Sequence, residues 1–280
     1  MFERQGCHLL HQSDLVPLAM EITSLRNPLV KRLRLLGRSA KDRRLTKTFL
    51  LEGTHALTEA LQCRYPLEMV GATELWLKKH SQLQQAILQQ GLSLITLSQN
   101  VIEAIATSVN PDGVVAVATR QTREVTLHSF GLALWQIQDP GNMGTLIRSA
   151  VAVGIEGIIL SEGTVDITNP KVLRASAGQW FRCAMQSVDR LEDNLRSYQN
   201  QGWQIVATNS QAEHSFWQWN FLPPTILLLG NEGNGLPQEL INLADAVVSV
   251  PVAEGVESLN VAIAGSLIMY EVLRQRRQSA

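Results

Sequence analysis

The chain has 280 residues, 45% of them hydrophobic and 18% charged, with a formal net charge of −1. This is apolar material for one large or two medium cores, with no overall charge bias that would mark a nucleic-acid binder. Cys7, Cys63 and Cys183 are widely spaced without CxxC, and the six histidines form neither HxH nor HExxH, so neither a disulfide framework nor a metal site is expected.

Residues 1–19 have no clean periodicity and no apolar signal-peptide core, and are expected to be a disordered extension. Met20-Glu21-Ile22-Thr23 reads as an alternative start. No apolar run approaches the ~18 residues of a membrane span, so the expected compartment is the cytoplasm. Between Arg26 and Lys47 lie nine of the 24 basic residues, against the single acid Asp42. Leu29, Leu33 and Leu36 recur at i, i+4 and i+7, which predicts one amphipathic helix with a basic outer face. Arg26, Lys31, Arg32, Arg34 and Arg38 are the candidate RNA-phosphate contacts; an ordinary solvated face is the alternative. Strands are predicted at 49–51, 74–77, 92–97 and 114–118, with helices at 55–62 and 81–90. These make residues 20–120 a small α/β unit. Residues 121–130 read as a polar linker.

Residues 131–280 alternate again. Strands are predicted at 132–137, 157–160, 204–207, 225–229 and 246–250, and helices at 143–153, 171–181, 191–201 and 259–275. Apolar strands alternating with helices imply a mainly parallel sheet covered on both faces. Ligands of such sheets bind beyond the carboxyl ends of the strands, so the chemistry of the strand ends matters.

Three strand ends are unusual. Gln138-Asp139-Pro140-Gly141-Asn142-Met143-Gly144-Thr145-Leu146-Ile147-Arg148 carries a Pro-Gly turn and then a helix for which Asn142 is the expected N-cap. Gly144 and Arg148 share a helix face, with Gly144 expected to leave open space for a substrate backbone; a plain capped helix is the alternative. Leu229-Gly230-Asn231-Glu232-Gly233-Asn234-Gly235-Leu236-Pro237 is a tight glycine loop with a carboxylate at its centre. It fits neither the P-loop nor the dinucleotide fingerprint. In Val250-Pro251-Val252-Ala253-Glu254-Gly255-Val256-Glu257-Ser258-Leu259-Asn260-Val261-Ala262, an irregular loop leads into a helix capped near Ser258. The small residues of its first turns permit close packing.

In this order the segments resemble the three motifs of the SpoU (TrmH-like) family of RNA methyltransferases, in the SPOUT superfamily, over roughly residues 130–275. Thr23-Ser24-Leu25-Arg26-Asn27-Pro28 through Phe49-Leu50-Leu51-Glu52-Gly53 resembles the family's L30e-like substrate-binding domain. The resemblance implies an α/β fold in which a small L30e-like domain precedes a SPOUT domain with a trefoil knot. It implies S-adenosylmethionine as cofactor, RNA as substrate and a homodimer sharing its active sites. Gly230, Val250 and Leu259 would contact the cofactor, with Thr208 a further candidate. Arg148 matches the catalytic arginine. A guanidinium protonated below pH ~12 suits a cationic role better than that of a base. Asn142 would position ribose or Arg148, Glu232 would orient Arg148 or its loop, and Ser258 and Asn260 would complete the pocket. Where many relatives have a methionine-glycine pair, this chain reads Ala253-Glu254-Gly255-Val256-Glu257. The expected reaction is methylation of a ribose 2′-OH in ribosomal RNA. The alternatives are a tRNA ribose, or a silent RNA-binding protein with a relict catalytic domain.

Overall fold

Asn27 before Pro28 is a helix-start signal. In the computed structural model, which describes residues 21–121 and 123–279, the Asn27 side chain accepts the Leu29 N–H to open α1 (Pro28–Arg38). The extension expected over residues 1–19 lies outside the described residues. Ser39 closes α1 with its N–H on the Leu35 carbonyl, and its hydroxyl accepts the Asp42 N–H to open α2 (Ala40–Thr46). The stretch expected as one basic helix is therefore two, because a serine at the break satisfies both helix ends. Val30, Leu33 and Leu36 of α1 are fully buried.

There follow β1 (Thr48–Glu52), α3 (Thr54–Gln62), β2 (Leu67–Ala72), α4 (Glu74–Lys79), α5 (Ser81–Gln89), β3 (Ser93–Thr96), α6 (Gln99–Ile105) and β4 (Val114–Thr119). The strands form one sheet in the order β1-β4-β2-β3, with β4 antiparallel to both neighbours and β2 parallel to β3. The strand expected at 74–77 is instead α4. The Thr73 hydroxyl caps it by accepting the Trp76 N–H, and only Trp76 of its apolar run is buried.

The second unit contains β5 (Phe130–Leu134), α7 (Pro140–Ala152), β6 (Gly157–Ser161), α8 (Pro170–Ala175), β7 (Met185–Val188), α9 (Leu191–Gln199), β8 (Gln204–Thr208), β9 (His214–Ser215), β10 (Thr225–Leu229), α10 (Gln238–Leu243), β11 (Ala246–Ser249) and α11 (Val261–Gln278). Its sheet is parallel throughout, in the order β7-β6-β5-β10-β8-β11-β9. Every residue of β5, β6 and β10 is buried, as expected for strands covered on both faces. The helix expected over 171–181 stops at Ala175. Ala177 (φ 47°) and Gly178 (φ 76°) turn the chain left-handed into a single 3-10 turn.

That turn docks on the first unit. The Ala177 carbonyl lies 3.1 Å from His55 Nε2, and Arg182 pairs with Glu59. Phe49 and Tyr65 pack on Trp180 and Phe181, with ring centroids 5.1 Å apart for Phe49–Trp180 and 5.2 Å for Tyr65–Phe181. Arg43, only 4% exposed, places Nε 2.8 Å from Asp166 Oδ2, and Arg174 lies 3.3 Å from Glu52. One apolar core therefore runs from the mixed sheet into the parallel one. Burial pushes the Cys183 thiol up to about 12, which keeps it protonated and inert. Among the described residues no helix is long and apolar enough to cross a membrane, and no group of acidic, Cys or His side chains could hold a metal ion.

Candidate active site at the carboxyl edge of the parallel sheet

The loops leaving β5, β10 and β11 meet at one edge of the sheet. Asp139, rather than Asn142, is the N-cap of α7: its carboxylate accepts the Asn142 N–H at 2.8 Å, and Pro140 follows as the first helical residue. The sequence offered both residues, and the Asp-Pro pair wins because the proline fixes where the helix begins. Asn142 is thereby released for side-chain work. Its Nδ2 donates to Glu232 Oε1 at 3.1 Å, and its Oδ1 accepts from Asn260 Nδ2 at 2.8 Å.

Asn260, rather than Ser258, caps α11, its Oδ1 accepting the N–H groups of Ala262 (2.9 Å) and Ile263 (3.3 Å). Glu232 also accepts the N–H groups of Gln138 (3.1 Å) and Asp139 (3.0 Å). A chain of hydrogen bonds, Glu232–Asn142–Asn260, thus ties the starts of α7 and α11 to the glycine loop. Burial pushes the Glu232 carboxyl up, but the donors Asn142, Asp139 and Gln138 outweigh it and hold the group below its ordinary range. The carboxylate is spent on these donors and does not orient Arg148.

Asn231 is a residue the motif reading passed over. Its Oδ1 accepts the N–H groups of Gly233 (2.9 Å) and Asn234 (3.0 Å), and its Nδ2 donates to the Gln136 carbonyl at 2.8 Å. An Asn followed by glycines is an Asx-turn signal and could have been read as one. Asn231 and Gly235 exchange two backbone hydrogen bonds of 3.0 Å, closing the loop into a small hairpin. A Cβ on Gly230 would come within 2.6 Å of the Leu236 nitrogen, so only glycine allows the closure.

This hairpin forms one wall of a cleft of about 330 Å³. Thr208 at the end of β8, Gly230, Val250, Ser258 and Leu259 all line it, as does Glu232. Asn209, Ser210 and Gln211, which carry no motif, complete the wall after β8. Asn142 and Asn260 are not among the lining residues and are linked to them through Glu232, and Arg148 is apart from the cleft, exposed on α7.

Two expectations about α7 and the basic face change. Gly144 is buried, not open. A Cβ there would overlap that of Ala175 and lie 2.8 Å from the Val172 carbonyl, so its missing side chain admits α8 and not a substrate. Arg26, Lys31, Arg32 and Arg38 are exposed and Arg34 is half-buried. Arg32 is paired with Glu68 of β2 at 2.6 Å, a partner that spacing within the helix could not show. Arg43 has left the basic face for Asp166.

A family model described as the SpoU rRNA Methylase family matches residues 129–270, and one for an MRM3-like substrate binding domain matches 27–116. The chain is 42% identical over 91% of its length to an uncharacterized tRNA/rRNA methyltransferase of Synechocystis, covering 94% of that protein. It is 30% identical over 90% of its length to the Bacillus subtilis 23S rRNA (guanosine(2553)-2′-O)-methyltransferase RlmP, covering 98% of that protein. Among solved structures, the AdoMet-bound rRNA methyltransferase of Sinorhizobium meliloti superposes with a TM-score of 0.81 at 31% identity, over 91% of this chain and 97% of that one. By these matches, and by a site that gathers all three motifs, the chain belongs to the SpoU rRNA methylase family.

Proposed function

We propose that this chain transfers a methyl group from S-adenosylmethionine to a ribose 2′-OH of ribosomal RNA. The observation that carries the reading is the cleft itself. Three loops from separate strands converge on it and are held in register by the Glu232–Asn142–Asn260 chain. Its walls suit the cofactor. Val248, Val250, Leu259 and Leu236 offer apolar surface to a purine, the loop backbone offers polar groups to a ribose, and Glu257 stands ready for a cation. When bound, the group supplies a methyl already activated by a sulfonium. The trefoil knot belongs to the same reading, formed where the chain passes from β10 through β11 to α11.

The protein's task is to hold the 2′-oxygen in line with that methyl and to stabilise the charge it develops. We assign the charge to Arg148 and the placement of the ribose to Asn142 and Ser258. Arg148 lies outside the cleft of its own chain, so the reading includes a homodimer in which each copy lends Arg148 to the other. Ile263, Leu267 and Tyr270 form an exposed stripe at i, i+4 and i+7 of α11, continuous with exposed Leu259, Val252, Val256 and Trp217 beside the cleft. An apolar surface of this kind fits a second copy. The exposed cations of α1 are the proposed RNA contacts of the first unit.

The test is single-turnover methylation of an unmodified 23S rRNA transcript at saturating cofactor. Arg148→Ala should lower the rate by about 10²–10³ while melting temperature and cofactor affinity hold. Arg148→Lys should recover little if the planar fork matters. Near wild-type turnover in the alanine variant would remove Arg148 from the mechanism.

A further inference from the structure

A second cleft, of about 200 Å³, opens at the carboxyl ends of β6 and β7, where the two units meet. It is lined by Arg44 of α2, Arg120 just after β4, and Ser161, Gly163, Thr164 and Ser187. No sequence motif marked it, since its cations come from the first unit and its hydroxyls from the second.

Its charge balance is unusual. Asp166 lies in the lining but is already satisfied: it accepts the Thr168 N–H (3.0 Å), the Thr168 hydroxyl (2.7 Å) and Arg43 Nε (2.8 Å). The nearest approach of Arg120 to it is 3.9 Å, outside hydrogen-bond range. Among the described residues Arg44 has no carboxylate partner. Once Asp166 is balanced by Arg43, two guanidinium groups face one exposed carboxylate, Glu162. Glycine at position 163 (φ 80°) gives the turn after β6 its left-handed backbone and packs it on the Gln136 side chain.

The cleft is also joined to the cofactor cleft through one residue. Gln136, itself left-handed at φ 48°, donates its N–H to Ser161 Oγ at 2.9 Å and accepts Asn231 Nδ2 on its carbonyl at 2.8 Å. Ser161 lines one cleft and Asn231 the other.

We propose that the Arg44–Arg120 cleft binds a backbone phosphate of the substrate RNA, away from the reacting ribose. Two guanidinium groups beside hydroxyls, Arg44 unpaired among the described residues and Arg120 only at 3.9 Å from a carboxylate that Arg43 already meets, match the geometry of a phosphodiester, and the volume admits a phosphate but no further nucleotide. The shared edge sets the RNA strand running from this anchor toward the glycine hairpin. The inference rests on the methyltransferase reading for the identity of its ligand.

The experiment uses the full-length protein and an unmodified 23S rRNA transcript, comparing wild type with the Arg44→Gln, Arg120→Gln double variant. The slope of log affinity against log salt should flatten by roughly 0.7–0.9, the loss of one phosphate contact. KM for RNA should rise about tenfold, as for one charge-assisted contact, with kcat and cofactor affinity held. The Arg44→Lys, Arg120→Lys pair should restore the slope and only part of the KM. An unchanged slope and KM in the glutamine variant would overturn the proposal. So would a collapse of melting temperature in both pairs, which would make the arginines structural. Methyl transfer by the wild type is scored separately. If it is absent, the enzymatic reading fails, while the slope still judges whether RNA binds here.

Discussion

Glu232 makes a quantitative test of how the three loops are held. In Glu232→Gln the shape is kept and one acceptor oxygen becomes a donor. Oε1 serves Asp139 N–H and Asn142 Nδ2, and Oε2 serves Gln138 N–H. If the amide oxygen takes the busier position, its NH₂ faces the Gln138 N–H, donor against donor. One bond is lost outright and two lose their charge assistance. At about 1.5–3 kcal/mol for a charged-group bond, discounted for an exposed loop, the loss should be about 1–2 kcal/mol. For a domain of this size that is a fall in melting temperature of roughly 2–8 °C. Cofactor affinity should drop about tenfold, since the hairpin forms a wall of the cleft. The pH dependence gives a second reading. The carboxyl is held below its ordinary value of 4.5, so its stabilisation is fully present above that value and disappears as pH falls through the lowered one. The gap between wild type and variant should therefore close in acid. Differential scanning calorimetry from pH 7 to pH 3, with cofactor titration at pH 7, reads all three. A gap that stayed constant with pH, or an unchanged cofactor affinity, would refute the reasoning.

Gly144→Ala should cost about 1–3 kcal/mol, because the new methyl meets Ala175 and the Val172 carbonyl and backbone cannot yield as a side-chain tip would. Equilibrium urea unfolding checks it, with methyl transfer expected to fall because α7 carries Asn142 and Arg148. Arg43→Met strands the largely buried Asp166 beside Thr168, with Arg120 at 3.9 Å as its remaining ion-pair partner among the described residues. About 3 kcal/mol should be lost at neutral pH, a fall in melting temperature of roughly 6–12 °C.

The sequence made the parallel unit legible because strands such as β10 are unbroken apolar runs between clear punctuation, and the span Thr225–Leu229 could be read directly. In the first unit β2 was missed because Glu68 interrupts its start, and Leu75-Trp76-Leu77 imitated a strand while lying in a capped helix. The candidate site residues could be named from the sequence, but their partners could not. Nothing local says that Asn142 reaches Glu232 and Asn260, which are 90 and 118 residues away. Gly144 misled for a related reason: a glycine reports that something comes close, and only the fold shows that it is α8.

The clamped junction has a consequence for how a target is chosen. Arg43–Asp166, Arg174–Glu52 and the Phe49–Trp180 stack lock the two units at several points, so the polar segment between β4 and β5 does not act as a tether. Under the proposed function, an RNA held by the first unit would meet the cleft edge at a fixed offset. The molecule would then work as a caliper. It would select the nucleotide at one set distance and angle from the docked portion of the fold, with few contacts needed to the base being modified. Such an instrument would tolerate a change of base at the target and reject a change in the length of the helix leading to it.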